Sequence, residues 1–133
     1  MFKFSPESLF GGAVYKLKFS FDIVPPSLNI SLRTHYHKRN KLFKDYYNLV
    51  FALTKDLIPP KPLEKATIKI ERHYYRMLDY DNCISSYKCV VDALIHCEII
   101  KDDNWKTIGA WKLDQIFRPK KEGPKSVIEV ISE

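Results

Sequence analysis

The sequence predicts an α+β fold: a mixed β-sheet with two main helices packed on it, in a single domain. Three observations lead there. Four stretches alternate apolar and polar residues with a period of two. Two others repeat apolar residues at spacings of three and four. Strand and helix patterns do not alternate strictly along the chain. At 133 residues, 45% of them apolar and 14% aromatic, the chain suits one domain with a substantial core.

The elements follow in order. Residues 1–13 precede the first pattern and are a candidate flexible segment; the folded domain is expected over 14–133. In "VYKLKFSFDIV" (14–24), Tyr15, Leu17, Phe19, Phe21 and Ile23 point one way while Lys16, Lys18, Ser20 and Asp22 point the other. That is a half-buried strand. "PPS" ends it, since proline cannot donate to a ladder. "LNISLRTHYHKRNK" then reads as a long, basic loop, of a length usual for functional or disordered segments. From Lys41 to Leu57 the recurrence of Leu42, Tyr46, Val50, Leu53 and Leu57 predicts an amphipathic helix. "IPPKPLEK" breaks it. Residues 66–75 alternate again as a strand. Residues 82–96 return to helical spacing, with Asp81 or Asn82 as N-cap. Residues 107–117 and 126–132 read as two strands joined by "RPKKEGPK", and a hairpin is expected there. Strand order is not legible.

Composition narrows the function. No apolar run reaches the roughly 18 residues that span a bilayer, and the N-terminus lacks the pattern of a signal peptide. A cytoplasmic protein without membrane contact is expected. Cys83, Cys89 and Cys97 are odd in number and form no C-x-x-C, so they read as buried thiols in a reducing compartment. There is neither a P-loop nor a G-x-G-x-x-G, so no nucleotide cofactor is expected. Residues 1–65 hold 11 Lys and Arg against 5 Asp and Glu, whereas residues 66–133 hold 11 against 11, so the net +6 lies entirely in the first half. A basic surface for a polyanion beside an acidic pocket is one reading; ordinary solubility is the other.

The acidic residues are the most informative. Asp79 and Asp81 follow the second strand, spaced by two, so on extended chain they project to one side roughly 7 Å apart. On a helix beginning near 82, Asp81, Ser85, Lys88 and Asp92 fall within about 40° of one another, while Ile84, Tyr87, Val90, Val91 and Leu94 face the core. A second pair, Asp102 and Asp103, follows that helix. Adjacent carboxylates repel, and if this pair folds back beside Asp79 and Asp81 it demands cations. Oxygen-only ligands favour Mg²⁺ or Mn²⁺. The bland readings are a strand-to-helix turn for D-x-D-N, an exposed turn for "KDDN" and a surface ion pair for Lys88 with Asp92. An EF-hand beginning at Asp79 fails, because Ile84 and Val90 stand where Gly and Glu are needed. His35 and His37 have no third ligand nearby; among Arg33, Lys38, Arg39 and Lys41 they read as facing phosphate.

Taken together, "PPSLN" after the first strand, the basic loop, "DYDN" (79–82), "KCVVDAL" (88–94) and "DD" (102–103) resemble the RusA family of Holliday-junction resolvases, many of them encoded by phages and prophages. The resemblance covers most of the chain beyond residue 14. It implies that Asp79, Asp81 and Asp103 are metal-binding carboxylates, that Asp102 joins the same acidic cleft, and that Lys88 is the catalytic lysine. It also implies a homodimer that cuts four-way DNA junctions with Mg²⁺, or Mn²⁺ in its place, during recombination and repair. Lys88 departs from the pattern: it lies seven residues after Asp81, where the family's lysine lies four after. Arg33, Lys38, Arg39 and Lys41, with Lys120, Lys121 and Lys125 on the second basic loop, are the expected phosphate contacts. The alternatives are a nuclease for flaps or other branched DNA, and a non-catalytic DNA-binding protein on the same scaffold.

Overall fold

A computed structural model describes residues 3–9, 12–26 and 36–132. Its elements in chain order are β1 (Lys3–Leu9), β2 (Gly12–Phe21), α1 (Tyr36–Thr54), β3 (Ala66–Tyr74), α2 (Tyr80–Ser86), α3 (Lys88–His96), β4 (Ile108–Phe117) and β5 (Lys125–Ser132). The five strands form one mixed sheet in the order β1-β2-β5-β3-β4. All neighbours are antiparallel except β3 and β4, which are parallel. Parallel neighbours need a crossover, and α2 with α3 supplies it.

Alternation places one face of the sheet in the core. Leu17, Phe19 and Phe21 of β2, Ala66, Ile68 and Ile70 of β3, and Ile128 and Val130 of β5 are all buried. They join Tyr46 and Val50 of α1 and Val90, Val91 and Leu94 of α3 in one apolar cluster. Fully burying each such aliphatic or aromatic side chain contributes about 1.5–3 kcal/mol. On the open face Glu129 pairs with Lys16 (3.4 Å) and Lys69 (3.8 Å). An α+β domain with helices on a mixed sheet is therefore what the sequence folds into.

Four expectations change. First, β4 and β5 do not form a hairpin. β5 runs between β2 and β3, and β4 lies beyond β3. Ile128 and Val130 are fully buried, which suits the sheet interior, whereas Ile116 and Phe117 are 38% and 66% exposed, which suits an edge. The connection passes the end of β3, where the Arg118 N–H bonds the Tyr74 carbonyl (3.1 Å), and it turns at Gly123, whose φ of 78° favours glycine. Second, Lys3–Leu9 forms an edge strand paired with β2, in a segment without the clean alternation of the other strands. Pro6 is tolerated at such an edge. Third, α1 begins at Tyr36, inside the stretch expected as loop, and ends at Thr54, whose hydroxyl bonds the Val50 carbonyl (2.7 Å).

Fourth, the single helix expected over 82–96 is two helices. It starts earlier, with Asp79 rather than Asp81 or Asn82 as N-cap, and it breaks at Tyr87. There the Tyr87 N–H reaches the Ile84 carbonyl (3.1 Å) and the Val90 N–H reaches the Tyr87 carbonyl (3.0 Å), both three residues back. Tyr87 is fully buried, and its hydroxyl donates to Ser126 Oγ (2.8 Å), which donates to the Ile23 carbonyl (2.7 Å). This buried bond across 39 residues holds the break in place.

Candidate functional site

The D-x-D-N segment leaves the C-terminal end of β3 on a loop that is tied down on both sides. Gln115 of β4 accepts from the Leu78 N–H and donates to the Leu78 carbonyl, both at 2.8 Å. Its amide thus imitates a neighbouring strand. Arg72, only 3% exposed and on the core face of β3, donates through Nη1 to the Arg76 carbonyl (2.6 Å) and to Gln115 Oε1 (3.2 Å). Its guanidinium also lies 4.9 Å from the centre of the Tyr74 ring. Among the described residues its Nε has no hydrogen-bond partner. Asp79 then caps α2 through its backbone, its carbonyl accepting from the Cys83 N–H (2.9 Å), and its carboxylate makes no cap bond. Asp81 follows in the first turn of α2, where the helix dipole favours an acid. Both aspartates are exposed.

Lys88 opens α3. Its ammonium bonds Asp92 Oδ1 at 2.9 Å, one turn on, and Asp103 Oδ2, fifteen residues on. Partial burial alone would lower the Lys88 pKa; hydrogen bonds to Asp103 and Asp92 outweigh it, and the net shift is upward. Asp103 is held below the usual carboxylate range, chiefly by the Lys88 hydrogen bond.

The chain reaches Asp103 through a defined helix ending. Glu98 takes a left-handed φ of 62° after α3. The Glu98 N–H bonds the Ile95 carbonyl (3.0 Å) and the Ile99 N–H bonds the Leu94 carbonyl (3.0 Å), which makes a Schellman cap. Leu63 then brackets the next residues: its N–H bonds the Ile99 carbonyl (2.9 Å) and its carbonyl accepts from the Lys101 N–H (3.0 Å). Asp102 turns into its own loop, accepting from the Asp103 N–H (2.7 Å) and from the Asn104 side chain (3.1 Å). Asn104 Oδ1 closes the turn by accepting the Lys106 and Thr107 N–H groups at 3.0 Å each.

Lys88, Asp92 and Asp103 are thus brought together. Asp102 is not: its carboxylate serves the loop. Among the described residues no hydrogen bond or ion pair joins Asp79 or Asp81 to the Lys88–Asp103 pair. The polar stripe expected through Asp81, Ser85, Lys88 and Asp92 is interrupted by the break at Tyr87, and its Lys88–Asp92 half forms an ion pair.

No protein-family model matches the chain, and no curated protein sequence does.

Among the described residues no three His, Cys, Asp or Glu side chains are grouped to hold a metal ion. The donor chemistry of Asp79, Asp81 and Asp103 is all carboxylate oxygen, the kind a hard divalent cation takes; the cation now bound to Asp103 is the Lys88 ammonium. Of the expected phosphate contacts, Lys120 and Lys121 are exposed on a 3-10 turn (Lys120–Glu122), and Lys125 is half-buried at the start of β5. Lys41 is exposed and paired with Asp45 at 3.2 Å. Lys38 and Arg39 lie in the first turns of α1, and Arg33 and His35 fall outside the described residues. Among the described residues no helix is long and apolar enough to cross a membrane.

Sequence reading missed Arg72 and Gln115. Arg72 occupies a core-facing position in the alternation of β3, where an apolar residue is the rule, and that misfit was the available signal. Gln115 looks like any polar strand residue.

Proposed function

We propose that this chain is a metal-dependent endonuclease that acts as a homodimer on four-way DNA junctions, like the RusA resolvases it resembles. The observation that supports this most is the meeting of Lys88 with Asp103 across fifteen residues. These are the lysine and the late aspartate of the ordered motif set, and they form one charged pair.

In this reading Asp79, Asp81 and Asp103 would hold Mg²⁺, with Mn²⁺ as substitute. When bound, the ion polarises a phosphate and lowers the pKa of an attacking water. Every other task falls to the chain itself. The Gln115 and Arg72 bonds set the course of the loop that carries Asp79. Lys88 orients Asp103 and presents positive charge where negative charge develops on the phosphate. Lys120, Lys121 and Lys125, with Arg33, Lys38, Arg39 and Lys41, neutralise flanking phosphates, so binding weakens steeply with salt. One site makes one nick. Paired symmetric nicks call for a two-fold dimer.

A DNA-binding protein that does not cut is the second reading. It is favoured by the same pair seen differently, with the Lys88 ammonium as counter-ion of Asp103.

The test incubates the protein with a synthetic four-way junction, a flap and linear duplex, with and without Mg²⁺. Symmetric nicking of the junction alone is expected. Cleavage of flaps in preference indicates a broader branched-DNA nuclease, and binding without cleavage in Mg²⁺ or Mn²⁺ selects the second reading. Asp81→Asn is expected to abolish cleavage while junction binding is kept; wild-type rates in that variant remove the metal role of Asp81.

A further inference from the structure

The end of the sheet where β3 and β4 finish carries rings and cations side by side. Tyr75 lies against Tyr74, with ring centres 4.7 Å apart. The Arg76 guanidinium and the Lys120 ammonium each stand 5.4 Å from the centre of the Tyr75 ring. Phe117, register partner of Tyr74, is 66% exposed. Residues 74–77 and 117–125 together hold five Lys and Arg against one acid, Glu122. Two segments some forty residues apart in sequence build this surface. Phe117 is too exposed for core packing to account for it.

The chemistry limits what can bind. Cations alone suit any polyanion. An exposed ring beside cations, as Phe117 is, suits flat π-systems attached to phosphates, because every base can stack on a ring whatever its identity. Duplex DNA offers this surface only its backbone, since its bases already stack on each other. We infer that this surface binds a single-stranded stretch of DNA, stacking a base on Phe117 while Arg76, Lys120 and Lys121 take the adjoining phosphates. The inference rests on the reading that DNA is the partner. Only Met77 and Leu78 separate Arg76 from Asp79, on the loop held by Gln115, so an unpaired strand seated here lies beside the D-x-D-N segment.

The test is fluorescence anisotropy with a labelled oligothymidine and a duplex of equal length, in EDTA so that no cleavage occurs. The wild-type protein is expected to bind the single strand more tightly than the duplex. Phe117→Ala is expected to weaken single-strand binding about tenfold and to leave duplex binding unchanged, with Phe117→Trp restoring the loss. Lys120→Gln with Lys121→Gln is expected to weaken both. Phe117 is largely exposed, so its truncation spares the fold, and a native melting curve verifies that. Unchanged single-strand affinity in Phe117→Ala, or equal losses for both DNAs, overturns the inference. Junction cleavage in Mg²⁺ bears only on the nuclease reading: a protein that never cuts yet shows the Phe117 effect keeps the stacking surface and loses the nuclease.

Discussion

Lys88 holds two carboxylates at once, one on its own helix and one on the loop that returns toward the sheet. The pair with Asp103 is about half-exposed, so water screens it and its contribution to stability is small. Its effect on ionisation is the better probe. Asp103 lies below the usual carboxylate range because of Lys88, so its stabilising term is present above that range and is lost as pH falls through the depressed value. In Lys88→Met the Asp103 pKa is expected to return upward, read by NMR titration of the side-chain carboxyl, with the melting temperature little changed. An Asp103 pKa that does not move would show that the two side chains are not paired. The Lys88–Asp92 pair was legible in sequence because opposite charges four residues apart on a helix meet; the Lys88–Asp103 contact was not, because it spans fifteen residues and depends on the fold. Arg72 and Gln115 were not, because their roles depend on a loop bonded to them from outside their own strands.

At the scale of elements, β2, β3, β4 and β5 were legible because one face of each strand meets a core or a neighbour, which enforces a period of two. Two things were hidden. The break at Tyr87 leaves the apolar spacing nearly helical, and only the three-residue hydrogen bonds and the Ser126 contact disclose it. The neighbours of β5 were hidden too, since a short, turn-rich connection suits a hairpin and an excursion past one strand equally. The end of α3 is a place where an element can be improved. Glu98 sits in the left-handed region that glycine adopts without strain, inside a complete Schellman cap. Glu98→Gly is expected to stabilise the fold by about 0.5–1 kcal/mol, measured as a higher denaturant midpoint at unchanged slope. A lower midpoint would mean that the Glu98 side chain contributes more than its backbone costs.

The whole molecule keeps its thiols and two tyrosines neutral. Burial pushes Cys89 up to about 12 and Cys97 to about 11, and raises Cys83, Tyr46 and Tyr87 as well. For each thiol the unfolded chain ionises first, near the ordinary value of 9.0. Stability from these groups is therefore complete below that value and declines as pH rises toward the folded values, by about 1.4 kcal/mol per unit for each ionising group. Denaturant midpoints should fall between about pH 8 and about pH 10.5, and Cys89→Ala should flatten the slope. A midpoint constant over that range would contradict the burial of these thiols. The position of β5 has a consequence for how the protein is made. The sheet's inner strand comes from residues 125–132, between partners that were synthesised some hundred and some fifty residues earlier. Until those residues leave the ribosome, β2 and β3 present bare, apolar edges that invite wrong pairing. Folding should thus wait for β5, and chains stalled before Lys125 should be digested by protease as readily as an unfolded polypeptide; resistant fragments would show that the first four strands form a stable unit by themselves.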